Sequence, residues 1–409
     1  MTTAKPQATF RFAAFLAFLS MLGPFTVDAY LPAFTQIGDD LAASKIQLQQ
    51  TLSAYFIPFA LMTLVHGPLA DAFGRRRLLL AALLVFVVGS IGCTLAPNIE
   101  ALWIFRFLQG ASAGGGVVIL YAVTRDCFQG PDAHRMIAQS LMTYNLAPAL
   151  APIIGGFLLE WFGWRSVFAM LALLATIMLF LTNKHLPETL PAEKRQPLRP
   201  RTLIANYRSV VSHRDNYLLS GALAFSFAGG FLYIASASAF MAQHLNVSST
   251  GYGWLFFPLV GGCVVGAFVS GQLATRLSMT DTVAAGFFVM VAAAGCNLLA
   301  VLVAGPQLPW SIVPLFIYAI GQTIAAPALK ALLIDRDPGL AGTASAFRAG
   351  LQLLLLAFTA GVVSPLASST PQGLALGMIV LLGMATCCLW RYQVGLTGFR
   401  ARSQPRGRF

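Results

Sequence analysis

Long apolar runs alternate with short polar segments along nearly the whole chain. Each run is about 20 residues long, which is the length of a helix that crosses the roughly 30 Å hydrocarbon core of a bilayer. The runs of the first half lie at 12–34, 46–66, 78–96, 99–123, 136–159 and 166–186, and those of the second half at 217–241, 251–275, 282–304, 310–333, 340–362 and 373–392. The pattern predicts an all-α integral membrane protein with twelve transmembrane helices.

Composition supports the same class. The 409 residues are 57% hydrophobic and only 10% charged, whereas soluble proteins carry about 25% charged residues. Mean hydropathy is +0.74. An ordinary soluble domain is therefore excluded.

The longest polar stretch, 191–215, divides the chain near its middle. We predict an N-terminal six-helix bundle at 1–190, a basic cytoplasmic linker at 191–215, and a C-terminal six-helix bundle with a basic tail at 216–409. The segment Gly271-Gln-Leu-Ala echoes Gly67-Pro-Leu-Ala at the corresponding place of the first half. Such an internal repeat is typical of transporters built from two related bundles around a central cavity.

The basic residues are distributed asymmetrically. Lys45 and Arg165 fall in predicted outer loops, Arg106 and Arg348 fall inside spans, and the rest of the 26 lie on one side. Basic loops stay in the cytoplasm, so both termini are predicted to be cytoplasmic, in a multi-pass protein of the inner membrane. The net charge of +12 is not gathered into a patch with interleaved aromatics, so no nucleic-acid partner is expected. The predicted tail carries four of the bases: Arg400, Arg402, Arg406 and Arg408.

Cysteine and histidine give no sign of a metal or redox site. The six cysteines show no Cys-x-x-Cys spacing, and no His-Glu-x-x-His motif occurs among the five histidines. We expect no cofactor, no metal and no catalytic residues, because a membrane-embedded enzyme would need such a constellation within its spans.

The loop at 67–77, GPLADAFGRRR, follows the pattern G-x-L-a-D-x-x-G-R-[RK]-x. It resembles the signature loop of the major facilitator superfamily of transporters, and its pattern residues are Gly67, Asp71, Gly74, Arg75 and Arg76. The resemblance implies the two-bundle fold. It also implies that Asp71 latches the bundles together against the N-terminal dipole of span 11 and Arg125, as part of a conformational switch.

Two charges lie inside the predicted spans of the first half. An intramembrane charge costs about 2.5–3.5 kcal/mol on insertion scales, so it indicates function by default. Asp28 lies six residues before Phe34 and Arg106 seven residues after Ile99, which places both about 9–10 Å below the outer surface. We expect the two side chains to be able to meet across a cavity.

Three further motifs carry the resemblance to particular branches. Leu102-x-x-x-Arg106-x-x-Gln109-Gly110 resembles the span-4 motif of proton-coupled antiporters, which implies a proton-coupling role for Arg106. The span-5 residues Pro148, Pro152, Gly155 and Gly156 resemble the antiporter motif G-P-x-x-G-G, with Ala151 in place of its first glycine. Gly110 and Gly114 are better explained as a helix-packing pair of small residues.

The narrowest resemblance is that of Asp28-Ala-Tyr30-Leu-Pro32-Ala to the end of span 1 in the Bcr/CflA branch of bicyclomycin and chloramphenicol efflux proteins. It implies a proton-driven exporter of small amphipathic drug-like molecules, with protons, the substrate and the lipid bilayer as partners and a monomeric chain. Export of a physiological metabolite, of purine or amino acid type, stays open, and nutrient import is less favoured.

The cavity wall is predicted less sharply. The candidates are Tyr30, Tyr144, Asn145, Phe231, Tyr233, Arg348 and Gln352. Each aromatic fits ordinary packing as well, and Arg348 fits either a cavity position or one that reaches toward the cytoplasm.

Overall fold

The computed structural model describes residues 10–128, 130–334 and 340–403, and every regular element in those ranges is helical. The first half contains α1 (Phe10–Asp28), a 3₁₀ turn (Leu31–Ala33), α2 (Phe34–Asp40), α3 (Lys45–Phe73), α4 (Arg75–Leu95), α5 (Ile99–Cys127), α6 (Gly130–Phe162) and α7 (Arg165–His185). Short turns join the successive spans, so spans that follow one another along the chain are antiparallel.

The second half begins with a helix inside the predicted linker, α8 (Pro200–Ser212). It continues with α9 (Arg214–Ala235), a π-helical segment (Ser238–His244), α10 (Gly253–Leu273), α11 (Met279–Val303), α12 (Val313–Ile334), α13 (Ala341–Phe358), a second π-helical segment (Thr359–Val363), α14 (Ser364–Ala367) and α15 (Pro371–Ser403).

Within the described ranges, nine helices are long and apolar enough to cross a membrane, namely α3, α4, α7, α9, α10, α11, α12, α13 with its extension, and α15. Helices α1, α5 and α6, of 19, 29 and 33 residues, fall outside this set. Large apolar side chains cover the outer surface, as at Phe288 and Leu366, which are 76% and 77% exposed. Such a surface suits lipid rather than water, so the chain is a multi-pass membrane protein.

The first predicted span is interrupted where the sequence analysis expected one continuous helix. Helix α1 ends at Asp28, and the chain passes through the 3₁₀ turn before α2 carries it on to Asp40. Pro32 explains the break, because proline lacks the N–H that would continue the ladder. The corresponding span of the second half is also interrupted, because α9 ends at Ala235 and a π-helical segment follows.

Two helices extend the picture given by the sequence. Helix α15 continues beyond the predicted last span through Arg400 and Arg402 to Ser403, and the segment 191–215 contains a 13-residue helix, α8. Arg406 and Arg408 lie outside the described residues.

Corresponding helices of the two halves make corresponding contacts. Helix α5 packs against α3 and α4 as α12 packs against α10 and α11. Likewise, α4 packs on α7 as α11 packs on α15, and α1 on α6 as α9 on α13. The halves meet mainly where α3 lies along α13 and where α6 meets α10 and the turn before it. The end of the helices that holds the 67–77 loop and α8 is called the linker end below, and the other the opposite end.

Candidate functional site

Arg106 lies at the centre of a buried polar cluster in the first half. Its side chain is completely buried on α5, and Nη1 donates to the carbonyl of Thr26 at 3.0 Å and to Gln109 Oε1 at 2.9 Å. The contact with Thr26 places the guanidinium level with the end of α1, two residues before Asp28. The predicted similarity in depth is therefore confirmed.

Two tyrosine rings enclose the guanidinium. Its central carbon lies 4.4 Å from the ring centre of Tyr30 and 4.6 Å from that of Tyr55. Cation–π contacts of this kind stabilise a desolvated cation by about 2 kcal/mol. The Tyr30 hydroxyl donates to Thr51 Oγ1 at 2.9 Å, since the Thr51 hydroxyl itself donates to the Leu48 carbonyl.

Gln109 extends the cluster onto α4. Its Nε2 donates to Ser90 Oγ at 2.8 Å, and the Cys93 thiol approaches its Oε1 at 3.7 Å. Among the described residues, Nε and Nη2 of Arg106 have no hydrogen-bond partner. An unmet buried donor is unfavourable, so these two groups are the donors that the cluster can offer to a ligand.

Asp28 is the last residue of α1 and is 6% exposed. In the part of the chain that the structure describes, no ion pair joins it to Arg106, and the expected meeting across a cavity is replaced by the packing of Arg106 between tyrosines. The phenol of Tyr55 lies within electrostatic reach of both charges. Asp28 and Arg106 are thus neighbours through Tyr55 rather than direct partners.

The predicted antiporter motif of α6 packs against the segment that follows Asp28. Gly155 lies so close to the backbone carbonyl of Ala29 that a Cβ there would collide with it. Pro152 and Gly156 are buried beside it. Gly110 of α5 makes a similar close approach to the Tyr55 carbonyl, which confirms its packing role.

The signature loop is organised by Arg75. The buried guanidinium joins Asp71 at 2.5 Å to Asp126 at 3.3 Å, and the Arg75 N–H donates to Glu188 Oε1 at 2.9 Å. Gly74, at φ +97°, lies between α3 and α4 as the C-cap of the first and the N-cap of the second. A Cβ there would collide with the Glu188 carboxylate. Only glycine meets both demands.

The partners of this loop differ from those predicted. Asp71 is paired with Arg75, whereas Arg125 is exposed and forms no ion pair with Asp71 in the described ranges. Sequence reasoning missed Asp126 and Glu188, because neither lies near Arg75 in the chain. Arg76 donates to the carbonyl and the side chain of Asn183 at the end of α7.

Several predicted cavity residues are packed in the core in this conformation. Tyr30 is enclosed as described, the Phe231 ring meets Phe56 of α3 edge-on, and the Tyr233 hydroxyl accepts from Asn297 at 2.6 Å. All three side chains are buried in this conformation, and their place in a cavity wall stays a prediction. Tyr144 is 37% exposed. The side chain of Asn145 lies outside the described residues.

Arg348 donates to Gln352 at 3.4 Å, one turn further along α13. Lys330 of α12, which sequence reasoning missed, lies within electrostatic reach of this charge near the linker end.

Polar side chains close the seam between α3 and the second half at the opposite end. Gln49 donates to Ser364 Oγ at 2.6 Å, and Ser364 in turn lies 2.6 Å from Ser236 Oγ. Gln50 donates to the Gly361 carbonyl at 2.9 Å and Ser53 to the Ala357 carbonyl at 2.8 Å. The described state is therefore closed at this end. The sequence analysis missed this seam, although Gln49, Gln50 and Ser53 are polar residues in an otherwise apolar run.

A multi-pass helical protein with matching contacts in its halves, a closable seam and buried charges beside it has the architecture of a membrane transporter. The family model of the Major Facilitator Superfamily matches residues 13–360. The chain belongs to that superfamily, whose members are transporters and not enzymes.

Similar proteins agree with this assignment. An uncharacterized MFS-type transporter of Bacillus subtilis, YdgK, is 30% identical over 91% of this chain and 93% of its own. A bicyclomycin resistance protein homolog of Haemophilus influenzae is 26% identical over 93% and 96%. The crystal structure of a bacterial homologue of the human lysosomal transporter Spinster superimposes with a TM-score of 0.70 over 94% and 96% of the chains at 15% identity, which supports the fold. The resemblance to the bicyclomycin efflux branch is confirmed.

Proposed function

We propose that this protein exports small amphipathic drug-like molecules in exchange for protons, by alternating access of two six-helix bundles with twelve spans. Its relative named for bicyclomycin resistance supports a drug as substrate. We further propose that it acts as a monomer in the inner membrane, with both termini in the cytoplasm.

The single observation that carries proton coupling is the state of Asp28. The carboxyl is buried next to the Arg106 cluster, yet within the described part of the chain no ion pair with that arginine fixes its charge. A carboxylate locked in a salt bridge would resist protonation, whereas one held at a distance responds to changes in burial and potential. Movement of α1 against α5 and α6 would therefore load and unload a proton here.

The spare donors of Arg106 give the substrate a place in the same scheme. Nε and Nη2 point within the cluster that Tyr30 and Tyr55 enclose. A drug with aromatic surface and a hydrogen-bond acceptor would compete with these rings and satisfy these donors. Proton and substrate would then bind to overlapping groups, which is the requirement for exchange.

The driving force is adequate. One charge moved through about 100 mV provides roughly 2.3 kcal/mol. Since about 1.4 kcal/mol corresponds to a tenfold ratio, one proton sustains a substrate gradient of roughly fifty-fold.

Lys330 and Arg348 favour a second candidate. Two neighbouring cations near the linker end suit a substrate that carries a carboxylate. An amino-acid-type metabolite is therefore the alternative to a drug.

Purified protein in proteoliposomes distinguishes the candidates. An imposed pH gradient should drive the uptake of bicyclomycin or chloramphenicol into vesicles whose interior is acidic, and a protonophore should abolish it. If the vesicles take up amino acids and no drug, an amino-acid-type metabolite is the substrate instead of a drug. Drug movement that ignores the pH gradient would exclude proton exchange.

A further inference from the structure

Helix α3 contains a backbone carbonyl that its own ladder does not use. The carbonyl of residue i accepts from the N–H of residue i+4 in an α-helix, and four residues after Leu64 stands Pro68. Proline has no N–H, so the Leu64 carbonyl is free to accept from elsewhere.

Tyr207 of the linker helix α8 fills this position. Its hydroxyl donates to the Leu64 carbonyl at 2.7 Å. Burial raises the pKa of the Tyr207 phenol to about 12, so the phenol keeps its proton, and remains a donor, throughout the physiological range.

Helix α8 itself is attached to the second half. Val210 is completely buried in the core, and Asn216 of α9 donates to its carbonyl at 3.0 Å. The helix packs against α9 and α13. Leu64 belongs to the first half, and its side chain packs across the seam against Gly350 of α13 in the second half.

The Tyr207 bond therefore crosses between the halves at the linker end. In the same conformation Gln49, Gln50 and Ser53 close the seam at the opposite end, so α3 is bonded to the second half near both of its ends. If the halves rock, α8 moves with the second and Leu64 with the first. The distance between donor and acceptor is then sensitive to the conformational state.

We propose that Tyr207 is a positioning residue for transport: it fastens the linker helix to the carbonyl that Pro68 leaves free, and so stabilises the conformation closed at the opposite end. The transport part of this inference rests on the proposed function, whereas the conformational part does not.

A double-mutant cycle tests the pairing with Pro68. Tyr207→Phe removes only the hydroxyl, and Pro68→Ala supplies a helical N–H that competes for the same carbonyl. Spin labels introduced by bio-orthogonal chemistry at positions 100 and 369, exposed at the opposite end in the two halves, report closure by their distance distribution. Reconstituted full-length protein is used, with Tyr217→Phe, an exposed tyrosine of α9, as the matched control.

We expect Tyr207→Phe to lower the ratio of closed to open populations two- to tenfold, the range for one lost hydrogen bond, while Tyr217→Phe changes nothing. In the Pro68→Ala background, Tyr207→Phe should have no further effect. The proposal is overturned by an unchanged ratio in Tyr207→Phe, or by equal effects in both backgrounds. If Pro68→Ala fails to fold, amide hydrogen exchange of α8 (200–212) replaces the cycle. Protection of α8 in Tyr207→Phe that equals the wild-type protection would also overturn the proposal.

Turnover separates this inference from the proposed function. In Tyr207→Phe the maximal export rate should fall by a similar factor. The drug affinity should not change, because the Tyr207–Leu64 bond lies away from the Arg106 cluster. If Tyr207→Phe shifts the conformational equilibrium but the protein exports no drug, the role of the Tyr207–Leu64 bond is supported and the proposal of a drug substrate is refuted. Drug export with lowered affinity instead of lowered rate would contradict the positioning role.

Discussion

At the scale of single residues, the main feature is a buried acid, Asp28, near a buried base, Arg106, with no ion pair between them among the described residues. Arg106 is held by the Thr26 carbonyl, Gln109 and two tyrosine rings, so its charge is stabilised independently of Asp28. In the proposed mechanism, that independence lets Asp28 change charge while the contacts of Arg106 stay in place.

Asp28→Asn keeps the shape of the side chain and removes its titration. We expect export driven by a pH gradient to be lost, while binding of a neutral drug is retained within a few-fold. Proton movement coupled to drug addition in vesicles measures the first, and equilibrium binding the second. Glu160→Asn, at the exposed end of α6, serves as the control. Export by Asp28→Asn at the wild-type rate and with the same response to pH would place the proton site elsewhere.

Arg106→Lys keeps the positive charge and loses the planar guanidinium. A lysine cannot bond Thr26 and Gln109 while stacking between two rings, so we expect partial activity only, reduced about ten- to a hundredfold in rate. Arg106→Ala should be inactive in the same vesicles. Equal activities of the lysine and wild-type proteins would show that charge alone is sufficient.

At the scale of helices, glycine positions set how closely neighbouring segments approach. Gly155 brings α6 against the backbone that follows Asp28, whereas Gly295 of α11 has no atom near the position of an added Cβ. The two glycines therefore predict opposite responses to the same substitution.

Gly155→Ala should destabilise the protein by about 1–3 kcal/mol, the range for overpacking, and should also slow transport, because Ala29 would be displaced. Gly295→Ala should be neutral or slightly stabilising, since alanine is the better helix former. Thermal unfolding in detergent compares the two. Equal melting temperatures for both variants would contradict the close approach described here.

The signature loop makes a graded prediction. Asp71 is 47% exposed whereas Asp126 is 23% exposed, and exposed ion pairs contribute only about 0.2–1 kcal/mol. Asp71→Asn should therefore leave stability nearly unchanged and lower the export rate through the conformational switch, whereas Asp126→Asn should lower stability more. Export assays and unfolding curves on matched amounts of protein test both. A larger loss of stability in Asp71→Asn would reverse this order.

Sequence patterns predicted the helical class, because apolar length acts locally. They also singled out Asp28, Arg106 and the signature loop, whose roles in transport stay predictions. They did not predict that Asp126 and Glu188 converge on Arg75, since this depends on how α5 and the end of α7 pack. They also missed α8, whose polar composition resembles a loop until Tyr207 and Val210 find their contacts. The end of α1 at Asp28 was obscured because the apolar run continues beyond it.

At the scale of the whole molecule, the asymmetry of basic residues predicts orientation. A reporter that is active only outside the cytoplasm should stay silent when it is fused after Arg199, because the linker carries five other bases between 191 and 215. Fusion after Asn98, in the turn between α4 and α5, should give activity. The reverse pattern would invert the topology.

The seam at the opposite end has a consequence for how this protein can vary. Two of its bonds end on backbone carbonyls of the second half, at Ala357 and Gly361, while both donors are side chains of α3, Gln50 and Ser53. A carbonyl survives any side-chain replacement, so substitutions at position 357 leave its bond in place. At position 361 a Cβ would collide with Ser53. Only substitutions in α3 can therefore remove these two bonds without a steric collision, so we expect inherited differences in gating between relatives at positions 50 and 53.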